Sequence, residues 1–384
     1  MPSHKDGIEV KCLLPFICSL IFLPIATNAV EFNGYYKNLL IGSDTVIGPE
    51  EGYWLDINRL RLGLSERWES LEVDLVYDNE LQLGSYLDTV QFRQFAEMND
   101  PRYWDLQGNT LDKSNIYGTH QLYRGTVRLS GESADLRIGR QQINWATALI
   151  WNPLDRFNPL NPLQLERDER TGVDAVLLDY NIQDLSRLSV VYAPQNQPSD
   201  SSAAVRFKSN IDVVDWSAMV GQFVDEKKLG LGFAGQTGLI GLRSEIVISD
   251  SDISDEYVEV VLSVDYTTNT GTRFVLEGYY NGDGVSDTSQ YQFSHLLNGQ
   301  KLGLAKRYLG GIISREISAL TTIEFITIGN LDDHSLFFYP SLDYAVPRFE
   351  DLYVKAGAQL FSGKSGTEYD FFNNLYFTEL KFYF

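Results

Sequence analysis

After residue 30 this chain has no apolar run of the ~18 residues that a membrane-spanning helix needs. What recurs instead is a segment of roughly ten residues in which apolar and polar side chains alternate. Leu60, Leu62 and Leu64 alternate with Arg59, Arg61 and Gly63, and Leu71, Val73, Leu75 and Tyr77 with Glu72, Asp74, Val76 and Asp78. Val127 and Leu129 face away from Arg124, Thr126 and Arg128, and Val258, Val260, Leu262 and Val264 from Glu259, Ser263 and Asp265. Strand side chains flip with period two, so each segment carries one apolar and one polar face. The polar face cannot be the one that meets a hydrocarbon solvent.

A soluble β-sandwich alternates as well, and the connections separate the two. Strands are expected near 32–42, 55–68, 70–83, 118–130, 133–145, 172–181, 185–194, 202–209 and 211–223. Nine more are expected near 228–236, 238–249, 256–268, 271–281, 304–316, 318–329, 334–346, 350–361 and 372–384. That is about eighteen, an even number, as a closed single-chain barrel requires. Short turns near 69–71, 131–133, 236–238, 268–271 and 317–319 alternate with longer stretches at 43–54, 84–117, 146–171, 195–201, 250–255, 282–303, 330–333 and 362–371. The fold class expected is all-β: a closed antiparallel transmembrane barrel over 30–384, with short periplasmic turns and long extracellular loops.

Residues 1–29 have the form of a cleavable export signal. Lys5 and Lys11 sit in a polar start, Leu13–Ile25 is an apolar core broken by Pro15 and Pro24, and Thr27 and Ala29 are small residues before a plausible cut. The alternative, a membrane anchor, needs a longer core. Both cysteines, Cys12 and Cys18, fall inside this segment, so the mature chain is expected to hold no disulfide and no cysteine-ligated metal. A formal charge of −21 disfavours nucleic acid as a partner.

If the apolar faces meet lipid, the polar faces line a lumen, and sixteen to eighteen strands leave room for water. Arg59, Arg61 and Arg67, then Glu72, Asp74, Asp78 and Glu80, then Arg124, Arg128 and Arg137 fall on neighbouring strands of one wall. Opposite charges on adjacent strands would pair across the ladder. They either stiffen and solvate the wall or set a transverse field at a narrowing. Arg206, Lys208, Arg243, Glu245, Arg273, Glu277 and Lys355 are further inward candidates.

The stretch Leu136–Ala175 interrupts the pattern. It leaves a strand at Trp145–Trp151 and passes Asn152-Pro153, Asn158-Pro159, Asn161-Pro162 and a charged run, Glu166–Arg170, before turning back at Gly172. Proline fixes φ and biases its predecessor towards extended backbone, so this loop is stiff. It is either an external loop or one that bends into the mouth and narrows it with Asp155, Arg156, Glu166, Arg167, Asp168 and Arg170. Leu165–Arg170 could form a helical turn pairing Glu166 with Arg170. The loop 84–117 competes for the same role.

Asp250, Asp252, Asp255 and Glu256 lack the ligand order of a calcium loop, and with Asp332, Asp333 and His334 they read as solvated surface. His120, His295 and His334 adjoin no nucleophile motif or metal-ligand pair, and no phosphate-cradling glycine motif occurs, so neither catalysis nor a metal or cofactor is expected. Aromatics near strand ends, Tyr35, Tyr36, Trp68, Tyr266, Tyr279, Tyr280 and Tyr376, would suit interfacial girdles.

The alternating strands, the export signal and a last strand with Leu380, Phe382 and Phe384 in alternate positions resemble Gram-negative outer-membrane porins. Gly139-Arg140-Gln141, Trp145, Asn152-Pro153, Asp155, Phe157, Asn158-Pro159 and Glu166 further resemble a segment of poorly characterised proteobacterial porin-like barrels, loosely near the alginate-export type. The resemblance implies passive diffusion of small hydrophilic solutes through a charged, water-filled lumen. It also implies contact with outer-membrane lipid and lipopolysaccharide, and recognition of Phe384 by the barrel assembly machinery. Porins commonly form trimers, so a homo-oligomer is among the implied partners, although no residue marks an interface. Two alternatives stay open: a polysaccharide or polyanion export pore, which would need a continuous arginine lining, and a plugged scaffold barrel holding a partner protein.

Overall fold

The computed structural model describes residues 30–96, 102–167, 169–170, 172–251, 255–297 and 301–384. The first strands are β1 (Glu31–Asp44), β2 (Gly52–Trp68), β3 (Leu71–Leu83), β4 (Gln107–Lys113), β5 (Ile116–Ser130), β6 (Ala134–Gln141) and β7 (Val173–Gln183). They are followed by β8 (Ser186–Ala193), β9 (Ser202–Ile211), β10 (Val214–Phe223), β11 (Glu226–Thr237), β12 (Ile240–Ser251) and β13 (Tyr257–Thr267). The last are β14 (Thr272–Asn281), β15 (Arg307–Ser318), β16 (Thr321–Asn330), β17 (Leu336–Ala345), β18 (Leu352–Ser362) and β19 (Leu375–Tyr383). All belong to one antiparallel sheet of 19 strands, in which β3 pairs directly with β5 and β4 joins only β5. Eighteen strands therefore form the ring.

The ring closes where β1 meets β19, from Tyr35 opposite Tyr383 to Gly42 opposite Tyr376. The Gly34 N–H donates to the Phe384 carbonyl and the Phe384 N–H donates to the Gly34 carbonyl, both at 3.0 Å. Closure leaves the eighteen-strand ring no unpaired edge, the one way a sheet can stand in hydrocarbon. The outer wall is a belt of exposed apolar residues, among them Leu40, Leu60, Leu64, Val127, Leu129, Leu262, Leu276, Leu309 and Leu342. The class of fold and the strand positions agree with the sequence reading. Its one omission is β4, which extends the sheet above the end of β6.

Eight connections at one end are short: 69–70, 131–133, 184–185, 212–213, 238–239, 268–271, 319–320 and 346–351. At the other end lie 45–51, 84–115, 142–172, 194–201, 224–225, 252–256, 282–306, 331–335 and 363–374. Two places depart from the rule that this end carries the longer loops: 224–225 is short, and 346–351 at the opposite end is longer than 252–256 and 331–335.

Two of the expected girdle aromatics are instead internal. Tyr35 and Tyr279 are buried against the lumen, whereas their neighbours Tyr36 and Tyr280 are exposed on the outer wall. Consecutive strand residues cannot share a face, so each Tyr-Tyr pair supplies one ring to each side. The export-signal segment 1–29 lies outside the described residues.

β6 ends at Gln141, earlier than the expected 145, and Gly139 marks the departure. Its φ is 124° and a Cβ there would lie 2.1 Å from the Gly125 carbonyl oxygen, so only glycine fits. Just beyond it Arg140 and Asp174 form a fully buried pair at 2.9 Å, on the outer side of the wall and covered by Trp104, whose N–H donates to Asp174 and whose carbonyl accepts from Arg140.

Candidate functional site: a loop that crosses the lumen

From Gln141 the chain folds inward. Ile143, Trp145 and Leu154 pack on Ala175, Leu177, Val191, Ala193, Ala204, Met219 and Val247, the small and apolar inner residues of β7–β12. Trp145 meets Phe157 edge-on at 5.3 Å, and Phe157 meets Phe223 at 5.1 Å. Leu154 lies so close to β11 that a Cβ on Gly230 would stand 2.4 Å from its Cδ2. The wall is bare where the loop needs to lie.

Two inward carboxylates then hold the loop by its backbone. Glu245 on β12 accepts from the N–H groups of Thr147, Ala148 and Leu154, the last two at 2.9 Å. Glu277 on β14 accepts from Leu149 at 3.0 Å, Ile150 at 2.9 Å and Trp151 at 2.8 Å. Six amides that would otherwise be orphaned in a buried loop are thus satisfied. Trp151 stacks on Tyr279 at 5.5 Å and leans on Tyr308 at 5.8 Å. Around it gather Leu87 from loop 84–115, Tyr291, Leu296 and Leu304 from loop 282–306, and Tyr369 from loop 363–374. The long loops share one apolar cluster inside the mouth.

The far end of the loop reaches the opposite wall. Gln359 on β18 donates to the Leu163 carbonyl at 2.8 Å. Glu166 then pairs with Lys37 on β1 and with Arg59 on β2, the latter at 2.8 Å. Glu169 accepts from Tyr35 at 2.7 Å and pairs with Arg61, with Lys37 at 3.5 Å and with Lys381 on β19 at 3.5 Å. Burial alone would raise the Glu169 carboxyl, but the charges of Lys37 and Arg61 outweigh it and hold the group down to about 2. Glu166 is likewise held low by Arg59 and Lys37 against its burial. Arg170 returns to Asp155 at 2.5 Å, and its carbonyl accepts from Tyr123 at 2.5 Å and Arg124 at 3.1 Å. Burial pushes Asp155 up to about 7 in spite of that arginine.

The wall arginines stand where alternation places them. Arg59 meets Glu80 at 2.7 Å, Arg61 meets Asp78 at 2.6 Å and Arg67 meets Glu72 at 2.6 Å, each pair directly opposed on β2 and β3. Arg128 bridges Asp135 at 3.1 Å and Glu72 at 3.5 Å, Asp74 accepts from Ser65 at 2.7 Å, and Arg124 donates to Gln142 at 2.8 Å. Arg137 lies opposite Arg128 in the ladder and makes no ion pair among the described residues. Arg67, with most of its side chain exposed, stands at the short-turn mouth, far from the loop.

Of the loop residues expected to act together, Asp155 with Arg170 and Glu166 with the wall do so, while Arg156 turns away to Glu226 at 3.5 Å. Arg167 faces a cavity, and Asp168 lies outside the described residues. The expected Glu166–Arg170 pair on a helical turn is not made. The Glu169 N–H donates to the Glu166 carbonyl at 3.2 Å, so the chain does turn there, but Glu166 pairs with Arg59 and Lys37 and Arg170 with Asp155. Glu169, the most connected member, escaped notice, although it stands three residues from Glu166 in the same charged run. Asp332 and Asp333 are not plain solvated surface either. Asp332 accepts from the Lys306 and Arg307 amides at 3.0 and 2.9 Å, and Asp333 from the Glu368 amide at 2.8 Å, tying three loops.

Beneath the loop lies a cavity of about 620 Å³. Its lining runs from Leu149, Leu160 and Leu165 down β14–β19 to Tyr353 and Tyr383 at the short-turn end.

No family model matches the sequence, and no curated protein matches it either. Solved structures do match. Acinetobacter baumannii OccAB4 superposes with a TM-score of 0.56 at 11% identity over 94% of this chain and 100% of that one. The outer membrane protein OpdK from Pseudomonas aeruginosa gives 0.58 at 9% identity over 93% and 98%. Acinetobacter baumannii OccAB2 gives 0.59 at 11% identity over 92% and 98%. At such identities the likeness is one of fold, and the narrower resemblance to alginate-export channels finds no support in it. The chain is an eighteen-stranded antiparallel barrel built like those of outer-membrane proteins.

Proposed function

We propose that this protein is an outer-membrane channel for passive diffusion of small hydrophilic solutes. The observation that carries the reading is the 142–172 loop, held across the lumen of an eighteen-stranded ring between Glu245 and Glu277 on one wall and Lys37, Arg59 and Arg61 on the other. A ring of this size leaves more space than its own inner side chains fill. A loop held across it sets the narrowest passage, with Glu166, Glu169 and Arg170 as its fixed charges, Asp155 buried against Arg170, and Arg59, Arg61, Asp78, Arg124 and Arg128 as the facing wall. The short-turn end faces the periplasm, 1–29 is removed on export, and the β1–β19 seam ending at Phe384 is the part that the assembly machinery reads. Lipid and lipopolysaccharide cover the outer belt.

Purified, folded protein in a planar bilayer should give discrete single-channel currents. Absence of current would favour the second reading, a plugged barrel, which the apolar cluster joining four loops in the mouth supports.

A further inference from the structure

We propose that a cleft on the outer wall, floored by Gly42 and flanked by Trp54 and Tyr376, seats the sugar headgroup of an outer-leaflet glycolipid. This rests on the outer-membrane reading above and not on conduction. Gly42 on β1 lies opposite Tyr376 on β19 and opposite Trp54 on β2. Both rings are on the outer face, Trp54 50% and Tyr376 60% exposed, and a Cβ on Gly42 would meet nothing within 4 Å. The two aromatics stand two strand spacings apart, roughly 10 Å at the backbone, the span of one sugar ring between two side chains. Two residues nearer the short-turn end are Thr378, Leu40 and Asp56, and two further on are Asn38 and Asn58. One Asp56 oxygen accepts from both asparagines, and Tyr36 donates to Asn58 at 2.5 Å. The other Asp56 oxygen has no hydrogen-bond partner among the described residues.

Polar side chains on a lipid-facing wall are costly unless they lie at its border. Asp56 is ten residues from Glu66, the outward charge at the other end of β2, and Leu60, Leu62 and Leu64 fill the interval on that face. At ~3.3 Å per residue and a tilt of ~40°, those ten residues rise ~25 Å, the height of the apolar band. The cleft therefore opens just beyond the outer hydrocarbon border, at the level of the headgroups. By contrast, β13 presents Val258, Val260, Leu262 and Val264 with no polar residue among them. The outer faces of β19, β1 and β2 carry no basic residue, and Asp44 and Asp56 would repel a bare phosphate. A sugar ring suits the place. Its C–H face covers an aromatic ring, and its hydroxyls donate to the carboxylate and exchange hydrogen bonds with the amides.

The test uses native mass spectrometry of the full-length mature barrel in detergent. The probes are lipid A, its dephosphorylated form, and phosphatidylglycerol, which has the phosphate without the sugar. Both forms of lipid A should be retained at concentrations about tenfold or more below phosphatidylglycerol, the scale of one charged hydrogen bond. Trp54→Ala should abolish the preference. Gly42→Leu should abolish it too, by filling the cleft, whereas Gly278→Leu, equally open but set between Leu262 and Leu309, should leave it intact. Folding is judged by heat-modifiable migration, and Trp54→Leu serves if the alanine variant fails to fold. Equal retention of the three lipids overturns the proposal. Loss of retention on dephosphorylation assigns the place to a phosphate, and native retention in Gly42→Leu reduces the two rings to interfacial anchors; either result overturns it as well. So does a dimer that Gly42→Leu disperses, which would give the cleft to a second copy. All of these leave the channel reading, judged by current, untouched. Recovery of the protein from the inner membrane would overturn the outer-membrane reading and this inference together.

Discussion

Glu277→Gln removes a charge from the centre of the loop's attachment while keeping its shape. In the native protein one carboxylate oxygen accepts from Ile150 at 2.9 Å and Trp151 at 2.8 Å, and the other from Leu149 at 3.0 Å. A glutamine can keep the first two on its carbonyl oxygen but turns an NH₂ donor towards the Leu149 N–H. One hydrogen bond to a charged group, ~1.5–3 kcal/mol, is lost, and two others weaken from charge-assisted to neutral. A local cost of about 3 kcal/mol corresponds to roughly a hundredfold rise in the open population of the segment. Hydrogen exchange measured by mass spectrometry in detergent should report it directly, since protection follows local opening. Amides 147–154 should exchange roughly a hundredfold faster while those of β1–β3 and β16–β19 keep their rates. Unchanged exchange in 147–154 would refute the reasoning. A uniform acceleration of the whole barrel would refute it too, because it would make Glu277 a wall residue and not an anchor.

Other consequences can be checked separately. Deleting 152–170 should raise single-channel conductance, and a folded deletion variant with native conductance would remove the loop from the constriction. Glu169, held down to about 2 from an ordinary 4.5, contributes stability to the docked loop that is complete above pH ~4.5 and fades as pH falls towards 2. Loop exchange should therefore accelerate on acidification through that window in the native protein and change much less in Glu169→Gln; identical acid profiles would count against the assignment. Gly139→Ala forces a Cβ to 2.1 Å from a carbonyl oxygen at φ 124°, a strain of about 1–3 kcal/mol or more. The yield of heat-modifiable barrel should drop, and a native yield would mean that β6 can leave the wall by another route.

The ring was legible because its signal is local: Leu60, Arg61 and Leu62 declare their faces within three residues. β4 was not, since Gln107–Lys113 carries no apolar alternation and pairs only because β5 outruns β6. The loop's stiffness could be read from its prolines, but its destination could not. Glu245 and Glu277 act on backbone amides that lie 91 to 128 positions away, and an amide has no residue letter. Lys37 and Lys381 stand at opposite ends of the chain. They become neighbours only through the closing pair of strands. Glu169 fell between these cases, visible as a charge but without a partner that sequence spacing could name.

That last contact has a consequence for the order of events in assembly. Glu169 is held at once by Lys37 from the first strand and Lys381 from the last, so the loop straddles the seam of the barrel. The Lys381 contact does not exist until both ends of the chain have met, whereas the anchors on Glu245, Glu277, Arg59 and Arg61 do not wait for it. A slip of one residue in that pairing would turn Lys381 to the outer wall, because strand faces alternate. A ring sealed out of register would therefore keep the loop's anchors on β2, β12 and β14 and lose the charge that β19 brings to Glu169 at the seam.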